Sequence, residues 1–270
     1  MPLAFSLDRS SGSLRFDSPL TEALLIERPN RYVAQVALVD GTVHRSHVPV
    51  GGRIGGLTLD GLPCLISGPY EGRTTSHTVE AIGSHFDRSD PQFQWIGINQ
   101  TASNRYVGSL LRADLLPELT RGLPASTVKA ERKLAGKRID FSLGAGDPPE
   151  LWVEVKTPLI SLDTPLDPAL PIKTDFSDGG PSARMPEQFI ELAKELKRGS
   201  RVVFLGVFGY SRQDRLNAEA RYRLNLNLDG LVDRGLELGM EFGELELSMD
   251  HRGLELKGYR SLFGTAAAKL

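Results

Sequence analysis

The sequence predicts an α/β (α+β) protein in two parts: a small OB-like β-barrel over residues 1–85 and a mixed-sheet domain over residues 86–265, with a short tail at 266–270. Three observations predict it. From Glu22 to about Gly83 the chain runs as short strand-like stretches broken by Gly and Asp-Gly turns, with no helical periodicity. The polar run Ser84 to Gln92 then interrupts the pattern. Beyond Trp95, amphipathic helical stretches alternate with apolar runs of strand length, the pattern of helices packed on a sheet.

In the first part, Val33 to Val39 is apolar at nearly every position, as in a strand covered on both faces or closed into a small barrel, and Asp40-Gly41 supplies the hairpin turn that follows. Asp60-Gly61 repeats that signal. Gly51-Gly52 and Gly55-Gly56 mark sharp corners, which suit a strongly bent barrel of OB type, although an SH3-like barrel would read alike. Barrels of this kind hold single-stranded nucleic acid with basic and stacking side chains. Arg28, Arg31, Tyr32, His47 and Arg53 have the right chemistry, with arginine as phosphate clamp and Tyr32 as stacking platform. Each of them alone is equally what a solvated surface looks like. His44 and His47, three apart on a strand, point to opposite faces and do not form a ligand pair.

The second part opens with a strand at Trp95–Ile98. A helix capped by Ser103 or Asn104 follows, with Val107, Leu110, Leu111 and Leu115 on one face. Val128 to Leu134 is a strand that turns at Gly136 into Arg138–Leu143. There, period-two alternation sets Asp140 on the face opposite Ile139, Phe141 and Leu143. After the turn Gly144–Pro149, Leu151–Lys156 alternates again, so that Glu154 and Lys156 share a face. Facing side chains of a hairpin lie roughly 4.5–5.5 Å apart. Two carboxylates at that separation are tolerated when a cation sits between them, and Mg²⁺ or Mn²⁺ suits oxygen ligands of this kind. Lys156 would then orient a bound water or offset charge developing on a phosphoryl group. The same three residues also describe an ordinary ion-paired strand face. Glu131 adds a third carboxylate if the register pairs it with Asp140, and a salt bridge to Lys133 or Arg138 is the alternative.

Pro158 to Pro181 is a long loop rich in Pro, Asp and Gly, placed to cover the site. A helix from near Pro186 to Arg198 has Arg184 and Gln188 at its start and Phe189, Leu192, Ala193 and Leu196 on its core face. Val202–Phe208 is a central strand. Leu224–Leu228, a short helix over Asp229–Gly239 and a strand over Phe242–Met249 complete the domain. Gly206-Val207-Phe208-Gly209 lacks the lysine and hydroxyl of a phosphate loop, and no Gly-x-Ser-x-Gly elbow occurs.

Composition excludes several classes. The 270 residues carry 40% hydrophobic and 24% charged side chains, ordinary for a folded globular chain and unlike a disordered one. No apolar run is long enough to span a bilayer and the first residues do not resemble a signal peptide, so a cytoplasmic protein without membrane contact is expected. Cys64 stands alone, which rules out an internal disulfide and a cysteine zinc site. The net charge of −2 gives no global attraction to phosphates, so any nucleic-acid surface must be locally basic.

The order of strand with Asp, turn, strand with Glu-x-Lys, helix and strand is similar to the PD-(D/E)xK nuclease core. Arg28-Pro29-Asn30-Arg31-Tyr32, His47 to Arg53, Asn104-Arg105-Tyr106-Val107, Glu131 with Arg138-Ile139-Asp140-Phe141, and Glu154-Val155-Lys156-Thr157 stand in the order of the sugar fermentation stimulation protein A family. The chain resembles a divergent member of that family from about Glu22 to Leu262. It departs from the family's pattern at Ser109, where an acid is usual, and at Glu187-Gln188, where a Lys-His pair is usual. The resemblance implies an OB-like domain followed by a restriction-endonuclease-like domain and nucleic acid, DNA or RNA, as partner. It implies a metal-dependent nuclease using Mg²⁺ or Mn²⁺, with Asp140 and Glu154 as metal ligands and Lys156 completing the catalytic set. It also implies that Gln188 faces the metal site from its helix, near Arg184 as a nucleic-acid contact. A catalytically weak nucleic-acid-binding regulator is the alternative.

Overall fold

The computed structural model describes residues 3–50, 52–171, 184–212 and 230–262, with side chains in the 184–197 helix from Gln188 onward. Gly51, residues 172–181 of the expected loop, the side chains of Arg184 and Glu187, the expected strand at 224–228 and the tail at 266–270 lie outside the described residues.

Two sheets organise the chain. The barrel consists of β3 (Thr21–Asn30), β4 (Val33–Ala37), β5 (Val43–His47), β6 (Pro63–Ser67) and β7 (His77–Gly83), and pairing of β5 with β7 closes the five strands into a ring. Asp40-Gly41 makes the β4–β5 turn, with Gly41 at φ +83°, where a side chain would be strained. Ala34 and Val36 point inward while Val33, Gln35 and Ala37 are only half covered, so β4 is a barrel strand with one dry face. Leu25, Val36, Ile54, Leu62, Cys64, Ile66, Val79 and Ile82 fill the interior.

The second sheet has eight strands in the order β1 (Phe5–Asp8), β2 (Ser13–Phe16), β14 (Gly253–Leu262), β13 (Glu241–Asp250), β12 (Arg201–Phe208), β11 (Leu151–Lys156), β10 (Lys137–Leu143) and β9 (Lys129–Leu134). β11, β12 and β13 run parallel and the remaining pairs are antiparallel. One face is covered by α1 (Gln100–Arg112) through Tyr106, Val107, Leu110 and Leu111. The other is covered by α3 (Arg184–Lys197) and α4 (Leu231–Glu237), with Phe189, Leu192 and Val232 against Trp152, Phe204 and Phe242. A short helix α2 (Pro117–Thr120) follows α1. Each fully buried Leu or Phe contributes about 1.5–3 kcal/mol.

The two parts interleave more than the expected division at residues 85/86. β1 and β2 join the second sheet, because the backbone of β2 pairs with Gly253–Glu255 of β14. β8 (Trp95–Gly97) pairs with β7, extending the barrel sheet, and Gly97 N–H donates to Gly209 O at 2.9 Å. A Cβ on Gly209 would lie 3.0 Å from Gly97 Cα, so both glycines are needed for the backbones to meet. The described part of the expected covering loop is pinned to the barrel: Leu159, Leu162 and Leu170 enter its core, and Leu159 O accepts from Gly55 N at 2.7 Å. Residues 158–171 are therefore a strap between the parts. α1 starts earlier than expected, since Asn99 caps it by accepting from Ala102 N at 2.9 Å.

Candidate active site

The site forms where β10 and β11 stop pairing. Their ladder runs from Leu143–Leu151 to Phe141–Val153. Beyond it, Val155 N–H donates to Asp140 Oδ2 at 2.8 Å, a side-chain bond where a backbone bond would continue the sheet. The strand changes sides at this point: Phe141 and Leu143 pack under α1, whereas Ile139 packs with α3. Simple alternation had placed all three on one face, and the break at Asp140 is what separates them.

Asp140 Oδ1 accepts from Asn104 Nδ2 of α1 at 2.6 Å, so both carboxylate oxygens are held. Burial, then the neighbouring Glu154 charge, pushes the Asp140 carboxyl up to about 7; the Val155 N–H and Lys156 oppose this, and Glu131 adds to it. Glu154 is 2% exposed. Its burial follows from β11 being an interior strand covered by helices on both sides. Its Oε1 takes the Lys156 ammonium at 2.6 Å, while its Oε2 is buried without a hydrogen-bond partner among the described residues. Two acids and one cation leave the cluster short of positive charge. Among the described residues, no three or more His, Cys, Asp and Glu side chains converge as a ready metal cage.

Glu131 lies on β9 between the ladder pairs that flank Asp140, at φ +53°, and its exposed carboxylate is 3.8 Å from Arg138. It acts on Asp140 through charge. Gln188 Nε2 donates to Arg138 O at 3.2 Å, tying the start of α3 to β10. Ser109, where the family usually carries an acid, is half-buried on α1.

The barrel residues divide. Arg28 Nη2 donates to Arg31 O at 2.6 Å, Val50 O at 3.3 Å and Gly52 O at 3.4 Å, so this guanidinium braces the barrel's own backbone. Arg31 and Tyr32 are exposed, with the guanidinium 5.3 Å from the ring centre, and Arg53 is half-buried. His47 Nδ1 lies 3.2 Å from Tyr32 O, and the His44 ring lies tilted against His77, with centroids 4.7 Å apart.

Two residues position the site in ways the sequence does not show. Asn104 holds Asp140, and Glu80, 1% exposed on β7, accepts from Ser67 Oγ and from Asn99 Nδ2 at 2.7 Å. Burial raises the Glu80 carboxyl, against the hydrogen bonds and the charge of Arg105. Glu80 thereby ties the barrel to the cap of the helix that carries Asn104. Its only signal was a lone acid inside the apolar run His77–Gly83.

A five-stranded OB-like barrel, a mixed sheet and an acidic pair with lysine at a strand end define a class of two-domain α+β proteins. The comparisons give it a family. Residues 26–98 match the SfsA N-terminal OB domain. A sugar fermentation stimulation protein homolog from Chelativorans sp. (strain BNC1) is 31% identical over 223 residues, 79% of this chain and 82% of that one. A homolog from Azorhizobium caulinodans is 28% identical over 264 residues, covering 93% of this chain and all of the other. The chain belongs to the sugar fermentation stimulation protein family. The structure of Pyrococcus furiosus SfsA in complex with Ca²⁺ shares the fold, with a TM-score of 0.64 at 20% identity over 90% of this chain and 95% of that one. No described helix is long and apolar enough to cross a membrane.

Proposed function

We propose that this chain is a cytoplasmic metal-dependent nuclease hydrolysing phosphodiester bonds in DNA or RNA. The observation that carries this reading is Glu154 Oε2, a buried carboxylate oxygen without a partner beside Asp140, itself pushed up to about 7. A buried acceptor left unpaired costs about 1–3 kcal/mol, more when charged. A hard divalent cation relieves both the orphan oxygen and the repulsion, so the donor set fits Mg²⁺ or Mn²⁺. Asp140 and Glu154 would hold the ion, which supplies Lewis-acid charge and a more acidic water when bound. That the Pyrococcus relative is described with Ca²⁺, another oxygen-seeking cation, supports the same donor chemistry.

The chain's own groups supply the rest. Asn104 and the Val155 N–H fix the orientation of Asp140, so its ligand geometry is set before substrate arrives. Lys156, partly exposed at the strand end, places an ammonium beside the carboxylates, where it orients the attacking water and offsets charge on the phosphoryl oxygens. Arg31 and Tyr32 offer the barrel's stacking and phosphate contact, with Arg53 as a further candidate.

The test is cleavage of labelled single- and double-stranded DNA and RNA with Mg²⁺, Mn²⁺ or chelator, by wild type, Asp140→Asn and Lys156→Ala. Metal-dependent cutting lost in both variants supports the nuclease; equal behaviour of all three proteins refutes it. A non-cleaving nucleic-acid-binding regulator is favoured by the Lys156–Glu154 contact at 2.6 Å, which engages the ammonium that catalysis requires. Binding without cutting would select that reading.

A further inference from the structure

Next to the site, residues 129–138 carry five cations, Lys129, Arg132, Lys133, Lys137 and Arg138, against one acid, Glu131, in a chain of net charge −2. They form the β9–β10 hairpin, whose outer strand is the free edge of the eight-stranded sheet. We infer that this hairpin is a nucleic-acid-binding surface that follows the sugar–phosphate backbone beside the cleavage point, an assignment that rests on the nucleic-acid reading of the adjoining carboxylate site.

The register carries the argument. Arg138 lies directly opposite Lys133, and cross-strand partners share a face. A like-charged pair in that position destabilises a hairpin, so folding gives no reason for it, whereas a phosphate bridging the two cations does. Arg138 and Asp140 are two residues apart on β10, so their backbones lie roughly 7 Å apart along the strand. The cationic pair is thus one step from the site along the same strand. Both side chains are exposed, and the nearby Glu131 approaches Arg138 only to 3.8 Å. Lys129 extends the charge on the exposed strand.

The hairpin is also held rigid. Ala135 at φ +45° and Gly136 at φ +80° make a two-residue turn with both residues left-handed, the geometry that matches strand twist. Arg132 serves as the anchor: its guanidinium lies 5.3 Å from the Trp152 ring centre and 3.2 Å from Asp147. Gln188 holds the Arg138 carbonyl from α3. Charged edges also protect sheets from pairing with other chains. The hairpin at the opposite edge, Phe5–Phe16, carries two basic residues, Arg9 and Arg15, against one acid, Asp8, so edge protection alone does not account for five cations here.

Equilibrium binding of labelled duplex and single-stranded oligonucleotides, in chelator and between about 50 and 200 mM salt, tests the assignment. Wild type is compared with Lys133→Gln/Arg138→Gln and with Arg9→Gln/Arg15→Gln at the other edge of the sheet. Removing two phosphate contacts should weaken binding and reduce the slope of log K against log salt by about 1.8 for duplex or about 1.4 for single strands, while the distant pair leaves it unchanged. The hairpin variant should melt at or above the wild-type temperature, since it loses a like-charge pair; a folded variant with the wild-type slope overturns the assignment alone. Absence of any binding by wild type removes the nucleic-acid reading and the hairpin with it.

Discussion

Two buried charge clusters in the second domain use the same residue types to opposite ends. In one, Arg212 Nε donates to Asp163 Oδ2 at 2.9 Å, its Nη1 to Glu244 Oε1, and Arg260 Nη2 to Glu244 Oε2 at 2.6 Å. Arg212 Nη2 is 2.8 Å from the same Asp163 oxygen, a charge contact without hydrogen-bond alignment, and the guanidinium stacks over Phe208 at 4.4 Å. Among the described residues two acids meet two cations, and Arg212, Asp163 and Glu244 are almost wholly buried. In the other, two acids meet one lysine and an oxygen is left over. Among the described residues the charges of the first cluster balance, whereas those of the second fall one cation short. A shortfall of positive charge, more than the presence of carboxylates, separates a site from a scaffold.

The sharpest break in this contrast is Arg212→Leu. It removes the buried guanidinium that Asp163 and Glu244 share, and should cost about 3–5 kcal/mol, seen as a melting temperature lower by roughly 10 °C. Lys156→Ala should reduce metal-dependent cleavage by about 100-fold or more and, without metal, lower the melting temperature by less than Arg212→Leu does, because it leaves the buried Glu154 without its cation although the lysine itself is partly solvated. Equivalent neutralisations should differ in sign without metal: Glu244→Gln lowers the melting temperature, whereas Glu154→Gln leaves it unchanged or raises it by relieving Asp140.

Proton and metal should compete at the deficient cluster only. The Asp140 carboxyl stands at about 7 in the fold against 3.8 ordinarily, so the native state binds the extra proton between those values. Its stabilising effect is full below about 4 and is lost as pH rises through about 7. Thermal melts in chelator should therefore show this component declining over that window in wild type and absent in Asp140→Asn. Mg²⁺ should raise the wild-type melting temperature more at pH of about 8 than at about 5. Gly209→Ala should have the smallest effect, about 1 kcal/mol in urea unfolding, as its Cβ meets Gly97 at the seam between barrel and sheet.

The sequence made Asp140, Glu154 and Lys156 legible because two alternating strands joined by a short turn leave little freedom in how their side chains meet. It also showed the barrel's strands and turns, the Arg201–Phe208 central strand and the α4 helix, all of them local patterns. What it hid was non-local. Nothing in Phe5–Phe16 signals a partner some 240 residues away on β14. Asn104 was visible as part of a motif, but its bond to Asp140 depends on which strand α1 crosses. Arg212 and Asp163 sit in irregular segments 49 residues apart, where no periodicity exists to read. Arg28 matched a phosphate clamp in type, and only the carbonyls around it show that it braces its own barrel.

The most direct test of the central claim is calorimetric titration of Mn²⁺ into wild-type protein and Glu154→Gln at a pH of about 8, where Asp140 is ionised. One site in wild type that disappears in the variant is the predicted result. Wild type that binds no ion, or a variant that binds it equally well, would contradict the claim that Glu154 and Asp140 await a cation.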